Sequence, residues 1–181
     1  MSETQPNGNR RIDRITAPGF VEGLRDLSLG ELRHRRDECL AEREYLSLLR
    51  RLVQGRLDIV RAEVDRRRTG GDPSTLVDHV AHAMSHEEHP TGSSRGEAVR
   101  LTVPPDEMTL ARRRVESLVA DSALSDPRTL PDDELGDAMR RLEAEELTVS
   151  ADRKTVMGVH DLLQDELKRR FKENPAEALT P

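Results

Sequence analysis

Apolar side chains recur every seventh residue in two long stretches of this chain, and that period constrains its fold more than any other feature. Leu32, Cys39, Leu46, Val53 and Val60 form one series; Leu135, Leu142, Val149, Val156 and Leu163 form the other. Intermediate apolar positions complete each series: Leu49, Leu57 and Val64 in the first, Met139 and Leu167 in the second. A sustained heptad of this kind predicts a coiled-coil seam, because only the seventh-residue positions stay on one face of a gently supercoiled helix. Composition agrees. The 181 residues include two Phe, one Tyr and no Trp, too little bulk for a β-sandwich, a barrel or a large α/β core, while 35% are charged.

Charge and cysteine usage narrow the class further. A net charge of -6 argues against a general nucleic-acid binder, which would carry a basic excess. The single cysteine excludes a disulfide framework and a thiolate zinc finger, and fits a reducing compartment. No apolar run approaches the ~18 residues of a membrane span. The start, MSETQPNGNRR, lacks the apolar core of a signal peptide. A cytoplasmic protein is expected.

Along the chain, residues 1–18 are polar, contain Pro6, Gly8 and Pro18, and read as a disordered tail. Phe20, Leu24 and Leu27 lie a helical turn apart and suggest a one- to two-turn helix, either packing at a helix start or docking a partner. Ser28 and Glu31 form a capping box that opens a helix over about 28–68, roughly 60 Å long. Thr69-Gly70-Gly71-Asp72-Pro73 ends it. A connector over 69–104 follows, then a short helix over about 105–123 with Pro at its first turn. Pro131-Asp132-Asp133-Glu134 starts a last helix over about 131–173, with its acids against the positive end of the helix dipole. Residues 174–181 read as a tail. The expected fold is all-α: one domain over 19–173, built on a long antiparallel two-helix coiled coil with short connecting helices and disordered termini.

The two long helices are copies. At an offset of 103, Leu27, Glu31, Leu32, Ala41, Glu42, Ser47, Arg50, Val53, Gly55, Asp58, Glu63, Arg66 and Arg67 match the same residue types from Leu130 to Arg170, without a gap. The first helix is net basic and the second net acidic, so pairing within the chain is favoured over like-with-like pairing; the connector is long enough for either direction, and antiparallel pairing is favoured.

Beside each seam runs a polar stripe. Ser47, Arg50, Gln54 and Asp58, with Arg43, fall on one narrow face roughly 16 Å long; Glu146, Ser150, Arg153, Met157 and Asp161 repeat it. Such a stripe alone is a solvated face with local ion pairs. Its duplication beside a seam places two of them along the groove of the paired helices. The residue types suit guanine nucleotides. Arg donates twice to guanine O6 and N7. A carboxylate accepts from guanine N1–H and the exocyclic amine, Ser and Gln hydrogen-bond phosphate or sugar oxygens, and Arg planes stack on bases.

At these residues the chain resembles the RsiG-type anti-sigma factors of actinobacteria, which hold a WhiG-type sporulation sigma factor inactive when loaded with cyclic di-GMP. The family motif runs Glu, three residues, Ser, two, Arg, three, Gln, three, Asp, on both helices of an antiparallel coiled coil. Ser47, Arg50, Gln54 and Asp58 match in the first copy, where Arg43 replaces the Glu. Glu146, Ser150, Arg153 and Asp161 match in the second, where Met157 replaces the Gln. The runs at 48–58 and 103–107 are also similar to the family, and the likeness covers about 20–173. It implies a cyclic di-GMP ligand bound as a stacked pair by these eight residues, a sigma-factor partner, and no direct contact with DNA or membrane.

Other features suggest less. His79, His82 and His86 are spaced to bind zinc on a helix, but four of the six histidines falling between 79 and 89 also fits a solvated loop. Cys39 sits in the seam and reads as core. Tyr45 borders the polar stripe. There is no Ser-His-Asp set, carboxylate pair or Gly-rich phosphate loop, so enzymatic activity is not expected. Two alternatives to the nucleotide switch stay open: a ligand-free coiled-coil adaptor or oligomerisation module, and a metal-binding regulator using the histidine tract.

Overall fold

The computed structural model describes residues 10–70, 103–118 and 127–175. Four α-helices occur among them: α1 (Arg11–Ile15), α2 (Leu29–Thr69), α3 (Pro105–Leu118) and α4 (Asp132–Glu173), with 3-10 turns at Pro18–Phe20 and Pro127–Thr129. No described residue is in a strand. The expected all-α class holds, and both long helices keep the expected bounds to within a residue. The histidine tract, most of the connector, both chain ends and residues 119–123 lie outside the described residues.

Helix α2 begins as its sequence dictates. The Ser28 N–H donates to Glu31 Oε2 at 3.0 Å, and the Glu31 N–H donates to Ser28 Oγ at 3.2 Å. These bonds occupy donors that no helical carbonyl can reach. The backbone donor of Ser28 also lowers the Glu31 carboxyl below its ordinary range. At the other end Gly70 takes φ 67°, the left-handed conformation that stops a helix without a Cβ clash.

The chain divides into two compact units, whereas the heptads predict one coiled-coil domain over 19–173. Unit 1 combines residues up to Ser47 with those from Ser150 onward; unit 2 runs from Leu48 to Val149. In unit 1 the core holds Ile15, Leu32, Cys39 and Leu46 against Val156, Leu163 and Leu167. In unit 2 it holds Leu49, Val53, Leu57 and Val60 with Leu135, Leu142 and Val149, plus Ala111 and Val115 from α3. All ten heptad positions are buried. Of the intermediate positions, Val64 and Met139 are only half-buried. Burial pushes the Cys39 thiol up to about 12, which suits a packing residue and not a redox sensor.

Within each unit the long helices pair antiparallel. In unit 1 Ser47 meets Arg153, while Arg170 reaches back to Leu24 and Arg25. In unit 2 Arg50 meets Glu146 and Arg67 meets Asp132.

The duplication reaches further than the helices. In unit 2 the buried Glu63 carboxylate accepts from Arg66 at 2.8 Å and Arg67 at 2.6 Å; Arg67 then donates to the carbonyls of Pro127 and Arg128 at 3.1 and 3.2 Å. In unit 1 Glu166 accepts from Arg169 at 2.7 Å and Arg170 at 3.0 Å, and Arg170 donates to the carbonyls of Leu24 and Arg25, both at 2.9 Å. Every residue of the second set lies 103 positions from its equivalent in the first. Each buried carboxylate thus orients an arginine that grips the segment entering a long helix. A buried charge is tolerated because it is paired on both oxygens.

Two expectations are corrected. Residues 10–18, expected within a disordered tail, carry α1. Ile15 is buried, and Arg11 and Arg14 pair with Glu42 and Glu38 at 2.6 and 2.5 Å. One apolar anchor and two ion pairs order a segment whose composition alone argued for disorder. The segment holding Phe20, Leu24 and Leu27 is no α-helix. It is a 3-10 turn followed by hydrogen-bonded turns, with Gly23 at φ 62°. Phe20 serves helix packing: its carbonyl accepts from Arg35 at 2.6 Å, and the Arg35 guanidinium lies 5.4 Å over its ring.

Truncating a fully buried seam residue, Leu142→Ala, should cost about 2–5 kcal/mol in a chemical-denaturation measurement. Glu166 gives a pH signature. The Arg169 hydrogen bonds, and then those of Arg170, outweigh the cost of burial and hold its carboxyl at about 2. A carboxyl lowered by folding stabilises above its unfolded value of about 4.3, and that contribution is lost as pH falls through the folded value. Thermal melts should therefore show stability declining from about pH 4.5 toward 2, with Glu166→Gln flattening that limb.

Candidate functional site

The seam sets the rotation of both long helices, and rotation decides which polar residues stand beside it. In unit 2 the half-buried Arg50 donates from Nε to Glu146 Oε1 at 2.9 Å. Gln54, one turn along α2, points its Nε2 at the same oxygen from 3.4 Å. Two of the expected residues thus converge on the carboxylate of a third. Asp58 is exposed and lines an open cleft of about 550 Å³ with Gln54, Leu57, Arg61, Glu143, Glu146 and Leu147. Leu147 stands 69% exposed in that cleft, an apolar surface next to hydrogen-bonding groups. Arg61 closes one side through an ion pair with Glu143 at 2.9 Å.

Unit 1 holds the other half of the expected set. Arg153 donates from Nε to Ser47 Oγ at 3.0 Å, and Ser47 donates onward to the Arg43 carbonyl at 2.7 Å. Ser150 is half-buried. Asp161 is exposed and 3.2 Å from the ring of its neighbour His160, so it does not join the Arg153–Ser47 pair. Met157 is partly exposed. Tyr45, on the adjoining face, is half-buried.

These arrangements offer guanidinium donors, amide and hydroxyl groups, and exposed carboxylates at helical spacing. Such groups recognise a planar base edge or a phosphate. Among the described residues no cluster of His, Cys, Asp and Glu side chains is placed to hold a metal.

One set of residues escaped sequence reasoning. Arg11 donates to the buried Glu42 at 2.6 Å in unit 1, and Arg114 donates to Glu145 at 2.6 Å in unit 2. These pairs dock α1 and α3 on the long helices, and Glu145 adjoins Glu146 in sequence. The clue was available, since Arg11 and Arg114 are again 103 apart. Carrying the repeat alignment back beyond Leu27 reveals it.

A family model described as RsiG-like matches residues 18–84 and 121–180, most of the chain. The chain belongs to the RsiG-like family of anti-sigma factors, a regulatory and not an enzymatic family, and its partner is a sigma factor. No curated protein matches it. Among the described residues no helix is long and apolar enough to cross a membrane.

The Arg50–Glu146 pair contributes little to folding. Its side chains are 40% and 20% exposed, and partly exposed pairs contribute less than about 1 kcal/mol. Glu146→Gln should therefore leave helical circular dichroism intact and shift the unfolding free energy by less than about 1 kcal/mol. A larger loss would make this pair part of the framework.

Proposed function

We propose that this RsiG-like chain is a cyclic di-GMP-responsive anti-sigma factor that sequesters a WhiG-type sporulation sigma factor, in the cytoplasm, when nucleotide-bound. The observation that carries the reading is the duplicated arginine. Arg50 and Arg153 hold equivalent positions beside the seam, each half-buried and each presented with a hydrogen-bonding neighbour from the other long helix.

The chemistry follows from the groups. In unit 2, Arg50 offers two donors to guanine O6 and N7, while Asp58 accepts from N1–H and the exocyclic amine. Gln54 and Glu146 complete the base or sugar contacts, and Leu147 offers an apolar edge. In unit 1, Arg153 supplies a guanidinium and Asp161 a carboxylate, with Ser47 and Ser150 as hydroxyl partners. Each cyclic di-GMP carries two phosphate charges, and each unit offers such a ligand a guanidinium, Arg50 in unit 2 and Arg153 in unit 1. The ligand then acts by population shift. It favours the conformation that also binds the sigma factor, and its differential affinity for that conformation sets the size of the effect.

A ligand-free coiled-coil adaptor is the second reading. It is favoured by the Arg50–Glu146 ion pair, which already satisfies Arg50 without a nucleotide. Calorimetric titration separates the two. Cyclic di-GMP should bind and GTP should not, and Arg50→Ala and Arg153→Ala should each abolish binding with helical content retained. Undiminished binding in both variants would remove the arginines from this role, and no binding by the unmodified chain leaves the adaptor.

A further inference from the structure

Positions 43 and 146 are equivalent in the duplication, yet one holds arginine and the other glutamate; positions 54 and 157, also equivalent, hold glutamine and methionine. In unit 2, Glu146 compensates the charge of Arg50 and takes the Gln54 amide on the same oxygen. In unit 1 the carboxylate is replaced by a second guanidinium. Both departures therefore fall in one unit, and they are physically linked. Once no carboxylate stands at 43, an amide at 157 has lost its acceptor, and the apolar Met157 costs nothing in hydrogen bonding.

The consequence is a local excess of positive charge. Arg153 directs its Nε to the neutral Ser47 hydroxyl at 3.0 Å. Among the described residues neither Arg43 nor Arg153 has a carboxylate within ion-pairing distance, and both are half-buried. Half-burial weakens solvent screening, so two uncompensated guanidiniums favour an anion over water more than surface arginines do. Ser47 adds a hydroxyl that already bridges the two residues, accepting from Arg153 and donating to the Arg43 carbonyl.

We infer that Arg43, Ser47 and Arg153 form a phosphodiester-binding site in unit 1, different in kind from the charge-compensated Arg50, Gln54 and Glu146 of unit 2. This rests on the cyclic di-GMP reading and deepens it. Unit 1 takes a phosphate of the ligand on forked guanidinium donors.

Installing the missing carboxylate tests this. In the full-length chain, Arg43→Glu recreates at Arg153 the pairing that Glu146 gives Arg50. Without ligand its thermal midpoint should rise above that of the unmodified chain. Calorimetric affinity for cyclic di-GMP should fall at least about tenfold, and the salt dependence of binding should become shallower as one phosphate contact is lost. Arg43→Lys should keep the affinity within about threefold. If the unmodified chain binds and Arg43→Glu binds equally well with the same salt dependence, the phosphodiester site is wrong while the nucleotide reading stands. If the unmodified chain binds no cyclic di-GMP, both fall together.

Discussion

One apolar side chain in every seven sets the azimuth of each long helix, and the rest of the molecule follows from that restraint. Burial of ten heptad residues leaves no freedom in which face turns inward. Ser47, Arg50, Gln54 and Asp58 stand beside the seam because of their spacing from Leu46 and Val53. Their equivalents stand there because the same spacing recurs from Val149 and Val156. A one-residue slip would rotate each stripe by about 100°, away from the edge of the seam.

Duplication turned one such stripe into two and also built the device that holds the ends. The Glu63 and Glu166 carboxylates each fix a pair of arginines, and the outer arginine of each pair grips the backbone that leads into a long helix. A framework made twice in this way does not need the polar stripe for its stability. The stripe is then free to diverge, as it has at Arg43 and Met157. Side chains within the seam keep the fold, and under the proposed function those beside it read the nucleotide.

Much of this was legible in the sequence, for identifiable reasons. The seam was legible because an apolar period of seven, held without interruption along a whole helix, suits a coiled coil and little else. The α2 start was legible because a Ser–Glu capping box is a local device. Pairing within the chain followed from the charge balance of the two helices, and its antiparallel direction from the resemblance. What escaped was non-local. Nothing within residues 10–18 announces a helix; α1 forms because Glu38 and Glu42 meet Arg14 and Arg11 from α2. Phe20, Leu24 and Leu27 have helical spacing, but Gly23 at φ 62° turns the chain instead. The stripe residues were legible from their helical spacing, while their partnerships were not. That Arg50 would share Glu146 with Gln54, and Arg153 would settle on Ser47, depended on the antiparallel register of each unit.

The central claim is that the nucleotide and the sigma factor stabilise the same conformation of this chain. Measuring the affinity of the purified chain for a WhiG-type sigma factor, with and without saturating cyclic di-GMP, tests it most directly. The account predicts tight association with nucleotide, much weaker association without it, and an equal factor by which the sigma factor tightens nucleotide binding. Sigma-factor affinity indifferent to cyclic di-GMP would contradict it.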